Sequence, residues 1–328
     1  MTDGPPGPVK RSHGGRIGYV QTDLSAAEHA GYYAGFANRT LWPVCHYRID
    51  LARFEHEWWA TYRAVNQRFA QTLAPLLRAD DLVWIHDYHL IPLATELRRL
   101  GVRARIGFFL HIPFPAAQIM LVVPWHRQLV ADLCAYDLVG FQTPIDVQQF
   151  KDYVARELRG AVDASASVRA LGRSFQTIAC PIGIDAEEMV ELATAPEAQT
   201  HAARMRAALR RRTLIIGVDR LDYSKGLPER LRAYEALLRD HEAHRGAVSF
   251  LQISAPSREE VPEYVTLRSE VEQLAGAING RYADPDWVPL RYINRTYPRR
   301  ALAGFFRTAR VGLVTPLRDG LNMVAEEF

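Results

Sequence analysis

From residue 81 onward, short apolar runs alternate with longer stretches of mixed polarity. DLVWIH (81–86) has the length and the aromatic, β-branched content of a strand. LIPLATELRRL (90–100) carries apolar residues at helical spacing, and Gly101 stands where a C-cap belongs. ARIGFFLHI (104–112) predicts the next strand and VPWHRQLVADLCAY (123–136) the next helix. DLVGFQT (137–143) and PIDVQQFKDYVARELR (144–159) complete a third repeat. Apolar runs buried on both faces and separated by helices indicate a parallel sheet. SVRALGRSFQTIAC (167–180) predicts a hairpin turning at Gly172 and Arg173.

A single helical stretch over 186–211 leads into a second alternation. Its strands are expected at 213–219, 247–255, 288–294 and 310–317, with helices over 227–244, 259–278 and 297–309. The spacing therefore predicts an α/β chain of two Rossmann-like, doubly wound domains. The boundary is expected within 195–212, giving domains of 17–200 and 201–328. Ligands of such sheets lie beyond the carboxyl ends of the strands, so a cleft between the two domains is the expected active site.

Composition narrows the picture. The 328 residues are 48% hydrophobic and 23% charged, enough for two buried cores. A net charge of only +3 suits small anionic ligands better than nucleic acid. Cys45, Cys134 and Cys180 have no metal-type spacing and read as reduced thiols of a cytoplasmic protein. No run approaches a membrane span, no signal peptide is evident, and residues 1–16, rich in Gly, Pro and charge, are expected to be disordered.

Polar chemistry gathers at strand ends. WIHDYHL places His86, Asp87 and His89 after one apolar run, and His111 closes another. His and Asp are metal-ligand types, but His86 still belongs to its strand and should diverge from Asp87, so a satisfied histidine and a hydroxyl-accepting carboxylate are the better reading. A core histidine bonded to backbone is the plain reading of His111. In GVDRLDYSKGLPER (217–230), Arg220 and Lys225 follow a strand and precede a helix N-terminus. They suit a diphosphate clamp, or else a solvated loop. In TPLRDGLNMVAEEF (315–328), Gly320 frees the backbone so that the amides of Asn322, Met323 and Val324 can meet an anion. Asp319 and Glu327 could accept from sugar hydroxyls. GYYAGFANRTLWPVCHYR (31–48) sets Tyr33, Trp42 and Tyr47 beside Asn38 and Arg39, an aromatic wall of the kind that holds sugars, although most such clusters are core.

YYAGFANRTLWP, WIHDYHL, GFFLHIPFP, GFQT, PIGID, VDRLDYSKGLPER and TPLRDGLNMVAEEF, in this order, closely resemble the trehalose-6-phosphate synthase family of retaining GT-B glycosyltransferases. The resemblance covers residues 29–328. It implies transfer of glucose from UDP-glucose to glucose 6-phosphate, giving α,α-trehalose 6-phosphate and UDP. It further implies that Arg220 and Lys225 hold the donor diphosphate, while Asp319 and the amides of Gly320, Asn322, Met323 and Val324 hold the transferred glucose. Glu327 then takes the ribose, and Tyr297, where the family more often has Phe, lies near the uracil or its ribose. Tyr33, Trp42, Asp87 and Arg258 match acceptor-binding positions, with Arg258 on the acceptor phosphate. His111 matches the residue at the reacting glucose, and Gln142 lies beside the same pocket.

No strand-end carboxylate is an obvious nucleophile, so His111, Arg220, Lys225 and Asp319 are expected to carry catalysis by positioning and charge stabilisation. No metal and no cofactor are expected, no nucleic acid or membrane partner, and a homo-oligomer is possible. The family's first strand, with its arginine and Gly-Gly loop, has no counterpart at the start of this sequence, and the family continues past the position of Phe328. The chain is thus expected to be the middle of a synthase. Two other functions fit the same motifs. One is a relative using another phosphorylated acceptor such as glycerol 3-phosphate, and the other is a non-catalytic regulatory homologue.

Overall fold

Residues 9–163 and 166–328 are described by a computed structural model. The chain divides between Pro181 and Ile182 into two compact units. In the first, strands β3 (Leu82–His86), β4 (Arg105–Leu110), β5 (Leu138–Phe141) and β8 (Arg173–Ala179) run parallel in that order. The antiparallel strands β7 (Ser167–Ala170) and β6 (Ala161–Val162) extend the far edge. Helices α4 (Leu93–Arg99), α6 (His126–Leu133) and α7 (Pro144–Glu157) supply the crossovers, as the periodicity predicts, with the short α5 (Ala117–Met120) between β4 and α6. Ile106, Val139, Phe141, Phe150 and Val154 are wholly buried at the centre. Strand β3 departs from the expectation of burial on both faces: Val83 and Ile85 are buried while Leu82, Trp84 and His86 alternate outward.

The hairpin between β7 and β8 turns at Leu171 and Gly172, one residue earlier than expected. Both have positive φ, 52° and 74°, the paired left-handed geometry of a tight hairpin turn. The aromatic segment is helical as far as Cys45. It comprises α1 (Ala26–Glu28), a π-helical run His29–Leu41, and α2 (Trp42–Cys45). Bonds of the i→i+5 type, such as Trp42 N–H to Ala37 O, widen each turn. The apolar spacing therefore matches no 3.6-residue period, and the sequence reads as irregular. Helix α3 (His56–Leu73), buried through Trp59, Tyr62, Asn66 and Ala70, was also not anticipated, although its spacing is helical.

Disorder over 1–16 does not describe the whole segment. Lys10–Gly14 (β1) pairs antiparallel with Ile17–Gln21 (β2) around Gly15 at φ +61°, and Lys10 bonds Asp23 at 3.0 Å. Backbone pairing carries this hairpin, since all its side chains are exposed. Residues 1–8 lie outside the described residues.

The second unit opens with α8 (Ala186–Thr194) and α9 (Pro196–Leu209). They are two helices rather than one, because Ala195 precedes Pro196 and is extended, with ψ 147°. Met189 and Leu209 pack with Leu214, Ile216, Phe305 and Phe306, which is why this helical pair joins the second unit and the division falls ahead of 195–212. Its parallel strands are β9 (Thr213–Arg220), β10 (Val248–Ala255), β11 (Leu290–Ile293) and β12 (Val311–Gly312), in the order β11-β10-β9-β12. Helices α10 (Leu227–Asp240), α11 (Pro262–Tyr282) and α12 (Arg299–Phe306) connect them, and α13 (Met323–Glu327) follows. Strand order reverses at β9, with β10 on one side and β12 on the other. Strand β12 is shorter than the expected 310–317 because the chain then leaves to bond Leu317 N–H to Ser224 O at 2.8 Å.

Candidate active site

In the first unit, the parallel register sets His86 opposite Phe109, so the chain beyond each strand brings His86 and His111 together. His86 Nδ1 lies 2.9 Å from His111 Nε2, and the rings are stacked with centroids 5.2 Å apart. Burial holds both imidazoles below their ordinary pKa, and for His86 the neighbouring His111 adds to the effect. Both are therefore neutral at pH 7. Asp87, at φ +73°, donates its N–H to Phe109 O at 2.8 Å and accepts the His111 N–H on Oδ1 at 3.3 Å. A non-glycine residue in this region is held there by its surroundings. His86, Asp87 and His111 thus lie together, a juxtaposition the sequence reading, which treated each singly, did not anticipate.

Tyr33, half-buried, stacks on His89 at 5.5 Å with the planes 11° apart. Trp42 is only 4% exposed and stacks on His46 at 4.1 Å, so most of its ring serves the core. Tyr88, whose ring lies against both Trp42 and His89, donates to Asn38 Oδ1 at 2.8 Å. Gln142 is buried one residue beyond β5, next to Thr143, which caps α7. Tyr47, raised with the aromatic wall, instead accepts the Ala116 N–H at 3.0 Å.

In the second unit, the switch point gathers the predicted donor residues. Arg220 ends β9, and the next turn, Tyr223–Lys225, stops at Gly226 with φ +64°, which caps α10. A Cβ on Gly226 would meet Thr315 O at 2.6 Å, so the turn lies hard against the β12 loop. From that loop Asp319 reaches back and pairs with Lys225 Nζ. Asp319 also accepts from Gly320 N–H at 3.1 Å and Asn322 Nδ2 at 3.4 Å. Asn322 caps α13, taking the Val324 N–H at 3.1 Å on its own side chain. Val324's amide is accordingly engaged within the protein, which the expected anion contact did not foresee, while Met323 is exposed beside it. Tyr297 lies under the Arg295 guanidinium and edge-on to Phe305. Glu327 faces Arg299 at 3.5 Å. Arg258, 9% exposed, is on the loop after β10, where its Nη1 approaches Asp222 Oδ2 at 3.4 Å.

Three supporting residues escaped the sequence reading. Arg230, wholly buried, pairs with Asp219 and donates to Gln252 Oε1 at 2.9 Å, Thr315 Oγ1 at 2.9 Å and Lys225 O at 3.3 Å. It thereby fixes the backbone carrying Lys225. Asp222 and Tyr264 are equally buried, and Tyr264 O–H donates to Asp222 Oδ2 at 2.9 Å. A charged residue one helical turn into α10 was the available signal for Arg230, whereas nothing in the sequence pairs Asp222 with Tyr264. Among the described residues no group of His, Cys, Asp and Glu has the geometry to hold a metal ion, and no helix is long and apolar enough to cross a membrane.

The sequence profile of glycosyltransferase family 20 matches residues 7–328. A trehalose-6-phosphate synthase of Sinorhizobium fredii is 47% identical over 323 residues, covering 98% of this chain and 70% of the relative. A crystal structure of an α,α-trehalose-phosphate synthase (UDP-forming) from Burkholderia xenovorans, in complex with glucose-6-phosphate, matches with TM-score 0.96 and 49% identity over all of this chain and 73% of that one. An E. coli protein bound with UDP-2-fluoro glucose matches with TM-score 0.96 and 44% identity, over 100% of this chain and 72% of its own.

Proposed function

Because this chain belongs to glycosyltransferase family 20, we propose that it is a trehalose-6-phosphate synthase, a hexosyltransferase moving glucose from UDP-glucose to glucose 6-phosphate with retention. The products are α,α-trehalose 6-phosphate and UDP, and the reaction belongs to the cytoplasm. The carrying observation is the Lys225–Asp319 pair at the carboxyl ends of β9 and β12, where the strand order reverses and Arg220 ends the central strand. In that reading Arg220 and Lys225 take the donor diphosphate, and Asp319 with the Asn322 and Met323 amides takes the donor glucose. Tyr297 and Glu327 lie toward the nucleoside. Tyr33, the rim of Trp42, Asp87, Gln142 and Arg258 serve the acceptor, with neutral His111 at the reacting sugar.

The chemistry asks little covalent work of the protein. The acceptor hydroxyl oxygen bonds to the anomeric carbon as the bond from that carbon to the diphosphate oxygen breaks, and the hydroxyl proton passes to the departing phosphate. Charge grows on the diphosphate, where two fixed cations stabilise it. Those cations occupy the role a divalent ion would fill, so catalysis is proposed to need no metal.

The test is UDP release by the purified chain with UDP-glucose and either glucose 6-phosphate or glycerol 3-phosphate. Release is expected with glucose 6-phosphate, unchanged by a chelator and reduced on the order of 100-fold or more in Arg220→Ala and in Lys225→Ala. Release confined to glycerol 3-phosphate, or undiminished in both variants, would reject the reading.

A further inference from the structure

Asp222 is completely buried, and its two oxygens serve two loops. Oδ1 accepts the Ser224 N–H at 3.0 Å, inside the turn that presents Lys225. Oδ2 accepts from Tyr264 O–H at 2.9 Å and lies 3.4 Å from Arg258 Nη1, and that same nitrogen donates to the Tyr264 oxygen. The two loops follow the neighbouring strands β9 and β10, whose last residues, Arg220 and Ala255, are paired in register. Arg258 is held at φ +50°, a conformation a long side chain seldom adopts unless its contacts impose it. The Tyr264 ring is fixed in turn against Tyr223, 5.3 Å away. A buried ion pair serving stability alone could sit anywhere in the core. This one joins the two loops that carry the cations assigned above to the two substrates.

We infer that Asp222 and Tyr264 are positioning residues: Tyr264, held by Asp222, sets the guanidinium of Arg258 for the acceptor phosphate, and Asp222 fixes the Lys225 turn through Ser224. The inference rests on the acceptor role proposed for Arg258. Tyr264→Phe is the informative change, because it keeps the buried ring and removes only the hydroxyl.

Calorimetric titration of the 328-residue chain with glucose 6-phosphate and, separately, with UDP provides the test. Loss of one hydrogen bond among charged groups predicts about tenfold weaker glucose 6-phosphate binding in Tyr264→Phe, with UDP affinity held within about twofold. In an Arg258→Gln background the Tyr264→Phe change should cost nothing further, since the hydroxyl acts through the arginine. Equal glucose 6-phosphate binding in Tyr264→Phe and the parent overturns the inference. So does a tenfold loss that persists in Arg258→Gln, which marks a general structural role. A parent chain that binds UDP but not glucose 6-phosphate overturns the acceptor reading, and the inference with it.

Discussion

A hydrogen bond between two imidazoles needs one ring to present N–H and the other a bare lone pair, which two protonated rings cannot do. The His86–His111 contact at 2.9 Å therefore opposes double protonation of the pair, and burial, which lowers both pKa values, acts in the same direction. The linkage has a definite sign. With folded values below the unfolded value of about 6.5, the unfolded chain binds more protons in the window beneath it. The stability is fully present above that window and is lost as pH falls through the lowered folded values. The thermal midpoint should drop between pH 7 and pH 5, and His86→Gln, which removes one titrating ring and the pairing, should make the drop smaller. Parallel midpoint-against-pH curves for the two proteins would show that the pair contributes nothing. Sequence placed both rings at strand ends, but their contact depends on the parallel register of β3 and β4, which no local pattern encodes.

Among the elements, α7 does more than cross over. Its cap, Thr143, accepts the Asp146 N–H at 3.2 Å, and Asp146 Oδ2 returns to the Thr143 N–H and hydroxyl. The other Asp146 oxygen accepts the buried Phe114 N–H at 2.9 Å, so the helix start also holds the loop just beyond His111. Thr143→Ala should cost about 1 kcal/mol, the ordinary value of an N-cap. Asp146→Ala strands the Phe114 donor as well and should cost about 1–3 kcal/mol more. Denaturant unfolding checks both, and an Asp146 variant no less stable than the Thr143 variant would sever the proposed link to the loop. The helix was legible in the sequence from Pro144 onward, because its period is local, although its cap was not read there. Strands and crossover helices were legible for the same reason. The π-helical run His29–Leu41 was not, since its wider turn removes the period by which helices are recognised. Strand β12 was overextended because its apolar residues continue past the point where the Gly226 turn draws the chain away.

Over the whole molecule, the largest departure from the sequence reading lies in what the first unit's sheet leaves open. Leu82 is 79% exposed and Trp84 70%, on the edge strand β3, and Leu138, Ile178 and Cys180 extend the same concave surface across β5 and β8. Periodicity could not report this, because an apolar run looks alike whether both of its faces are covered or only one. Contiguous apolar surface of this kind on a sheet edge is uncommon in folded proteins and is a ready site for small apolar molecules. The native chain should therefore enhance the fluorescence of a hydrophobic dye such as ANS before it melts. Leu82→Lys with Trp84→Lys removes the two most exposed large apolar side chains among the described residues and adds the charge that commonly protects edge strands. The doubly substituted chain should lose about half or more of the dye signal, while its melting midpoint stays close to the parent's, because neither side chain is buried. An unchanged dye signal would mean that the dye binds elsewhere and that this face is covered in solution. A large fall in midpoint would mean that Leu82 and Trp84 pack against apolar partners after all.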